Sequence, residues 1–405
     1  MFIREVIYLF LGHFVNIVVP IILMPMLAYR LGPKAFGEFV VITGATQYFA
    51  YIMELGLNNI AISKLNSLSH DEKIEMITSI FILKLILFII IGSIAYTIFF
   101  YLLIKWGWNS IYAIESMLPL ITCIIYPAWF FIAEKKQIIN LIVQSASKII
   151  IIIGIITLIH NPKDAPIAVA IYMLSVILVS FPFIIYWLRY IDVRAGLRFK
   201  NILQLFKDGV KVGGLAVRDA WSANGIAPII GVLLHGQQFG EFAMAEKLVR
   251  AITLPSSTLG TIVLANYKSI DNKINKFIPY KIPILIITLF LYVIIMYLFS
   301  EIIGSELPKY LNIKSYFITL SLIIPFVYIN YIFINLYFIG YKKYFMLTKI
   351  IAVQIIIMIL FAFPFAKNNH WNYVALVLIA GEVIMFVFFI RLNNIKNILH
   401  SFYQK

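Results

Sequence analysis

Nine charged side chains lie inside long apolar stretches of this 405-residue sequence, where each needs a chemical explanation. The basic ones are Lys84, Lys148, Arg218, Lys247 and Arg250, and the acidic ones are Glu54, Asp219, Glu246 and Glu382. A charge at the centre of a membrane-spanning helix costs at least about 2.5 to 3.5 kcal/mol, so each must have a partner or face a water-filled pocket. The basic groups can bind an anionic substrate, and the carboxylates can bind protons or sodium ions.

Three of the basic residues are close together in the second half of the sequence. Lys247 and Arg250 share one face of a predicted helix, and Glu246 lies four residues before Arg250, where it can form an ion pair. Lys247 is left over after that pairing, and Asp219 points about 100° away from its neighbour Arg218 around the helix. We therefore expect a cationic cluster that lines a cavity of the second half. Neutralisation within ion pairs is the alternative.

The first half contributes two further basic candidates, Lys84 and Lys148. Lys84 lies about two turns from the inner end of its span and is long enough to reach the membrane surface, whereas Lys148 lies at mid-span. All five basic residues are candidate ligands of an anionic substrate. Asp219, Glu382 and Glu54 are the candidates for ion coupling, and structural pairing is the alternative for each of them.

Apolar residues dominate the elements that must position these charges. Hydrophobic residues make up 62% of the chain and charged residues 13%, about half of the 25% found in soluble proteins, which excludes a soluble enzyme. A bilayer-spanning helix needs about 20 apolar residues. The sequence therefore predicts an all-α polytopic membrane protein, with about twelve transmembrane helices in two six-helix pseudo-symmetric bundles around a central cavity. The predicted spans are residues 6–29, 38–60, 78–104, 114–133, 138–159, 166–188, 212–234, 241–265, 280–300, 315–339, 345–365 and 372–391.

These spans divide the chain into four predicted parts. They are an N-terminal six-helix bundle at 1–188, a cytoplasmic linker at 189–211, a C-terminal six-helix bundle at 212–391 and a cytoplasmic tail at 392–405. Lys and Arg are about three times as frequent in the segments on one side of the spans as in those on the other, which places both termini in the cytoplasm. This topology accounts for the net charge of +15 without a nucleic-acid partner. The first apolar run is too long for a signal peptide and is expected to be an uncleaved span.

A repeated motif indicates an internal duplication. LGPKAFGEF at residues 31–39 recurs as LHGQQFGEF at residues 234–242, an offset of 203 residues that also relates Pro25 to Pro228. Because each half has an even number of spans, the two halves are related by a pseudo-two-fold axis along the membrane normal. Parallel repeats of this kind are common in secondary transporters.

Proline and glycine inside spans are candidates for gating. Pro25 and Pro228 can bend equivalent spans, since a proline frees a backbone carbonyl. Gly213 and Gly214 make the start of span 7 flexible. Close helix packing is the alternative explanation for these glycines.

Residues for catalysis or metal binding are not evident. The six histidines have no metal-ligand spacing, no phosphate-binding Walker loop is present, and a lone cysteine, Cys123, excludes an internal disulfide. We expect no enzyme activity, no metal and no cofactor. A proton or sodium gradient is the expected energy source.

Particular segments resemble a known family. AYRLGPKAFGEF after the first span, ELGLNNIAISK at the end of the second and AEKLVRAITLPSSTLGTIVLANY in the eighth are similar to segments of polysaccharide flippases of the multidrug/oligosaccharidyl-lipid/polysaccharide exporter superfamily. The resemblance covers the whole chain and is strongest to the O-antigen (Wzx-type) translocases. It implies transport, by alternating access, of an undecaprenyl pyrophosphate-linked oligosaccharide across the bacterial inner membrane, as in lipopolysaccharide or other polysaccharide biosynthesis. Arg218, Lys247 and Arg250 would then meet the diphosphate.

The resemblance also implies partners, namely membrane lipids, a polysaccharide polymerase and a chain-length regulator. It leaves the glycan open, although lipid II flippases usually carry two more spans than this chain has room for. Two alternatives remain, a cation-coupled multidrug or small-molecule antiporter of the same superfamily and a non-transporting scaffold for a polymerase.

Overall fold

The computed structural model describes residues 2–192, 199–256, 282–339 and 344–403. Most of the described residues are helical, with no strand among them, and two short 3-10 turns and one π-helical segment, Ile334–Ile339, supplement the α-helices. In chain order these are α1 Phe2–Glu54, α2 Leu57–Lys64, α3 His70–Trp106, α4 Ile111–Glu115, α5 Leu118–Ile125, α6 Ala128–Ala133, α7 Gln137–Leu158, α8 Ala165–Leu188, α9 Phe199–Val212, α10 Gly214–Asn224, α11 Ala227–Gly231, α12 Gln237–Thr253, α13 Ile282–Glu306, α14 Ile313–Ser321, α15 Ile323–Phe333, α16 Tyr344–Lys367 and α17 Trp371–Tyr403.

The predicted spans coincide with these helices. Seven stretches of the described residues are long and apolar enough to cross a bilayer. The predicted spans 1 and 2 both lie within α1, and span 7 is divided between α10 and α11. Residues 257–265 of the predicted span 8 and residues 280–281 of the predicted span 9 lie outside the described residues, as do parts of the predicted linker and tail. An all-α polytopic membrane protein is therefore confirmed.

Gly32 separates the two membrane spans of α1. Its φ of 72° and ψ of 169° interrupt an otherwise continuous helix, and Pro33 follows immediately. Left-handed φ favours glycine, and proline begins a helix well because its missing N–H has no partner in the first turn anyway. The connection between spans 1 and 2 is therefore a single-residue turn. Pro25 lies inside the first arm, as the sequence predicts.

The duplicated motif forms the contact between the two halves. Gly37 and Gly240, which the 203-residue offset relates, face each other: a Cβ on Gly37 would lie 3.3 Å from Gly240 Cα and 3.0 Å from the Phe239 ring. A Cβ on Gly240 would collide with the backbone carbonyl of Pro33. Both copies of the motif therefore need glycine because two helix backbones approach closely there.

Hydrogen bonds to backbone carbonyls reinforce this contact near the same end of the helices. Tyr310 donates to Ala28 O at 3.0 Å, and the Trp106 indole donates to Val232 O at 3.3 Å. Within the first half, Arg30 donates to carbonyls at the C-terminal end of α7, Ile155 O at 2.6 Å among them. In the predicted topology this end faces the outside, so the halves are closed against each other at their outer ends.

The predicted linker contains an amphipathic helix. Residues 199–212 form α9, which buries Ile202 and Gly209 and leaves Phe199 and Val210 exposed. Gly209 packs against the carbonyl of Leu55, which lies between α1 and α2. The helix therefore lies against the inner ends of both halves rather than free in solvent.

Candidate functional site

Span 7 is interrupted in the middle, and a carboxylate from span 8 caps the break. α10 ends at Asn224, Gly225 has φ +70°, and α11 begins at Ala227. The Glu246 carboxylate accepts hydrogen bonds from Ile226 N at 2.9 Å and Ala227 N at 2.8 Å. Backbone N–H groups at a buried helix start need an acceptor, and a carboxylate is a strong one. Glu246 thus fixes a discontinuous helix inside the protein.

This finding corrects the expectation for Pro228. The sequence predicted that Pro228 bends a continuous span, but the interruption lies at Gly225, and Pro228 falls in the first turn of α11. There a proline removes no helical hydrogen bond, since the first N–H groups have no partner in the helix. Pro228 packs instead against Gly44 of α1, where a Cβ would collide with its ring.

Other side chains hold the same break from both halves. The Tyr48 hydroxyl, from the first half, donates to Gly225 O at 2.6 Å. Lys247 Nζ donates to Asn224 Oδ1 at 3.2 Å. Lys247, which the sequence left without an acidic partner, therefore donates a hydrogen bond within the site. An amide that ends α10 is its partner.

Arg250 and Trp221 form one wall of a small cavity in the second half. The buried ion pair between Arg250 Nη2 and Glu246 Oε1 spans 3.2 Å, as the spacing predicted, and Arg250 lies 5.5 Å from the centre of the Trp221 ring. The free volume is about 30 Å³, about that of one water molecule in the liquid. In this conformation the cavity is too small for a diphosphate, which enters only if the walls separate.

Arg218 reaches the same cavity with unused donors. Its Nη2 lies 3.5 Å from Asp219 Oδ1, although the sequence predicted that these neighbours point apart, because the long guanidinium side chain folds back. The guanidinium also lies over the Tyr331 ring at 4.2 Å. Its Nε and Nη1 are buried and have no hydrogen-bond partner among the described residues. Buried donors of this kind are costly unless a ligand or water satisfies them.

Glu382 faces this cavity from α17. Its Oε2 accepts a hydrogen bond from Asn330 Nδ2 at 2.8 Å, and the same amide bonds the Glu382 carbonyl at 3.1 Å. Gln354 of α16 also lines the cavity. The cavity is therefore lined by one carboxylate and two basic residues. Two amides and a tyrosine line it as well, namely Asn330, Gln354 and Tyr331.

The first half contains an equivalent cavity with different charges. Its volume is about 280 Å³, and Gln47, Glu54, Lys148 and Tyr172 line it. Lys148 Nζ lies 5.5 Å from the centre of the Tyr172 ring. The offset of 203 relates Gln47 to Arg250, so a neutral amide in the first half stands where the second half has a cation. The open central cavity of the sequence prediction stays a prediction.

Two carboxylates from different halves lie within electrostatic reach of each other. Glu54 ends α1, and its charge acts on Asp219 of α10. Tyr51 lies within the electrostatic reach of both. Of the three predicted ion-coupling residues, the structure therefore brings Glu54 and Asp219 together and places Glu382 deeper in the second half.

Lys84 lies apart from this site. It is buried and donates to Asn58 Oδ1 at 3.3 Å and to Cys123 O at 3.2 Å, so it does not reach the membrane surface. Its neighbours are an amide and a carbonyl rather than a cavity. The structure thus assigns Lys84 to packing in this conformation.

One of the two predicted gating glycines is a packing position here. A Cβ on Gly214 would collide with Thr348 of α16. Gly213 has ordinary helical angles, with φ −57°. The alternative that the sequence left open, close packing, therefore describes Gly214.

Sequence reasoning missed two features. Tyr331 and Gln354 carry no charge and look like ordinary span residues, so only the fold shows that they line the charged cavity. Glu115 is buried, and its carboxylate oxygens have no hydrogen-bond partner among the described residues. It is the second residue of the predicted span 114–133 and was not among the charged span residues that the sequence analysis singled out.

Comparison with known proteins identifies relatives in sequence. Residues 2–265 match the model of a family described as "Polysaccharide biosynthesis protein". A "Putative O-antigen transporter" of Escherichia coli (strain K12) is 29% identical over 137 residues, which are 33% of this chain. That match spans 32% of the relative's length, about a third.

Solved structures show the same fold. An inward-facing multidrug resistance MATE family transporter of the MOP superfamily aligns over 95% of this chain and 99% of its own, with a TM-score of 0.70 and 14% identity. A MATE protein in complex with MaD3S aligns over 96% and 94%, with a TM-score of 0.56 and 15% identity. At these identities the likeness concerns the fold alone.

Proposed function

Since the chain belongs to the polysaccharide biosynthesis protein family, we propose that it is a flippase for an undecaprenyl pyrophosphate-linked oligosaccharide. The substrate is an O-antigen or similar repeat unit, which moves from the cytoplasmic to the outer leaflet by alternating access. The protein acts in the bacterial cytoplasmic membrane with both termini in the cytoplasm. A polysaccharide polymerase and a chain-length regulator are its proposed partners.

The observation that carries this proposal is that Arg218 has buried hydrogen-bond donors without acceptors. Two of its buried nitrogens have no partner among the described residues, and Arg250 lines the same cavity. A guanidinium presents its donors in a fork that matches phosphate oxygens. The diphosphate of the substrate supplies the missing acceptors when the cavity widens.

Opening at the outer ends completes the transport step. The outer contact between the halves rests on the two glycines of the duplicated motif and on hydrogen bonds to carbonyls, which the halves can exchange for water when they separate. Glu54 and Asp219 lie on opposite halves, so separation removes their mutual repulsion. Proton or sodium binding at Asp219, Glu54 or Glu382 thereby favours one of the two conformations.

Surface polysaccharide in cells tests the proposal. In cells that lack the protein, we expect loss of the polymer and accumulation of intact repeat units on the cytoplasmic leaflet. Arg218→Ala should insert normally and fail to restore the polymer, whereas Lys309→Ala, which removes an exposed cation, should restore it. Normal polymer in cells that lack the protein, together with increased accumulation of cationic dyes, would instead support the antiporter.

A further inference from the structure

A long apolar groove runs between α16 and α17 on the outside of the second half. We call it the α16–α17 groove and define it by Val353, Ile357, Phe361, Ala380, Ile384 and Phe388, which line it. Its volume is about 570 Å³, within the range of about 300 to 1,000 Å³ that is typical of ligand sites. It is twice as large as the charged cavity of the first half.

The groove faces the lipid. Val353 is 55% exposed, Phe361 63% and Ile384 65%, so no described residue covers them. An apolar concavity on a membrane-facing surface excludes water and is filled by a hydrocarbon chain. The chemistry of its walls therefore selects an apolar chain rather than a sugar or a phosphate.

Two side chains separate the groove from the charged cavity of the second half. Gln354 and Met385 line both spaces. Gln354 Nε2 donates to Gly381 O at 3.3 Å and thereby bridges α16 and α17. On the far side of this bridge are Arg218 and Arg250. An amphiphile could place its apolar chain in the groove and its anionic head group in the charged cavity.

We propose that the α16–α17 groove binds the polyprenyl chain of the transported lipid while its diphosphate is at Arg218 and Arg250. This inference rests on the proposed function and names the path of the chain between two particular helices. Separation of Gln354 from Gly381 opens the way between groove and cavity. Lys349, exposed at the end of the groove that the predicted topology places in the cytoplasm, attracts the anionic head group to that entrance.

The first half offers a matched control. An equivalent groove of about 480 Å³ lies between α7 and α8, and the 203-residue offset relates its Ile150, Gly154 and Leu158 to Val353, Ile357 and Phe361. This second groove is also apolar and exposed to lipid. It adjoins Glu115 rather than arginines, so it has no attraction for a diphosphate. Ordinary membrane lipids should fill both grooves equally.

Photo-crosslinking of the full-length protein in proteoliposomes tests the proposal. The photoreactive residue p-benzoylphenylalanine replaces Ile357 in one variant and Ile153 in the control groove in another. The probes are tritiated undecaprenyl diphosphate and, separately, tritiated phosphatidylethanolamine. We expect at least fivefold more undecaprenyl diphosphate label at position 357 than at 153, with competition by unlabelled undecaprenyl diphosphate. Equal labelling at both positions, or labelling of 357 by the phospholipid alone, would overturn the proposal.

A groove-filling substitution gives a second measurement. Ala380→Trp should slow transport of the lipid-linked oligosaccharide about tenfold, and Ala170→Trp in the control groove should not slow it. Equal transport by both variants would also overturn the proposal. If the unmodified protein does not transport the substrate in the same vesicles, the proposed function fails. If the protein transports the substrate but position 357 is not labelled selectively, the proposed path of the polyprenyl chain is wrong and the proposed function stands.

Discussion

Removal of the Glu246 carboxylate should destabilise the protein by collapsing the interruption of span 7. Glu246 is 1% exposed and has three donors, the amides of Ile226 and Ala227 and the guanidinium of Arg250. In Glu246→Ala the two amides lose their acceptor, and Arg250 becomes a buried charge without its carboxylate. Gly225→Ala attacks the same site from the other side, because its Cβ would collide with the Glu246 carboxylate at a φ of +70°.

The size of the loss follows from the buried ion pair. Breaking such a pair by removing one partner costs about 3 to 5 kcal/mol, a large part of a total stability of about 5 to 15 kcal/mol. Glu246→Gln keeps one acceptor oxygen but also leaves Arg250 without a carboxylate, so its loss should be close to that of Glu246→Ala. The double variant Glu246→Ala/Arg250→Met should recover part of the loss, since it also removes the unpaired charge.

Unfolding by sodium dodecyl sulfate in mixed micelles, followed by tryptophan fluorescence, measures these free energies. Glu301→Ala is the control, because Glu301 forms an exposed ion pair with Lys314 and its removal should leave stability unchanged. Gly304→Ala is the control for Gly225→Ala, since its Cβ would meet only Lys314 Cβ at 3.9 Å. If Glu246→Ala is as stable as Glu301→Ala, the carboxylate does not hold the break.

Other predictions concern the outer contact between the halves. Gly240→Ala should hold the outer ends of α1 and α12 apart, because the added Cβ collides with Pro33 O. Spin labels at Tyr29 and Gln238, in a Cys123→Ser background, should then report a longer distance. An unchanged distance would contradict the packing of the two helices. His235 lies between the rings of Trp106, at 4.2 Å, and Trp108, at 5.6 Å. Burial, and then the charges of Lys34 and Lys105, lower the pKa of His235, so the contact favours the neutral ring. Its contribution should be complete above the ordinary histidine pKa of about 6.5 and should be lost as the pH falls through the lowered value. The same spin-label distance should therefore lengthen on acidification, and a response that persists in His235→Phe would assign the titration to another group.

Patterns along the chain were sufficient to predict the fold. Apolar runs of about 20 residues predicted membrane-spanning helices that the structure describes, and the spacing of Glu246 and Arg250 predicted their ion pair. The repeated motif predicted a duplication, and the structure adds that Gly37 and Gly240 meet at the contact between the halves. Apolar runs, residue spacing and a repeated motif can be recognised in the sequence because each depends on residues that are close together along the chain.

The sequence alone could not predict contacts between segments that are distant along the chain. The bonds from Tyr48 to Gly225 and from Lys84 to the Cys123 carbonyl join different spans, so no spacing predicts them. Pro228 indicated a bend because proline disrupts helix interiors, yet Gly225 and the cap from Glu246 determine where the helix ends. Arg218 folds back onto Asp219 because its side chain is flexible, which a helical wheel does not represent.

Transport by the purified protein tests the central claim, that cations of the second half bind the diphosphate, most directly. Proteoliposomes would contain an undecaprenyl diphosphate-linked oligosaccharide with a fluorophore on its sugar, and a membrane-impermeant quencher would report the fraction in the outer leaflet. The wild type and Lys309→Ala should expose nearly all of the fluorophore, whereas Arg218→Ala should leave the inner-leaflet half protected. Quenching by Arg218→Ala at the wild-type rate would contradict the assignment of the diphosphate to this cavity.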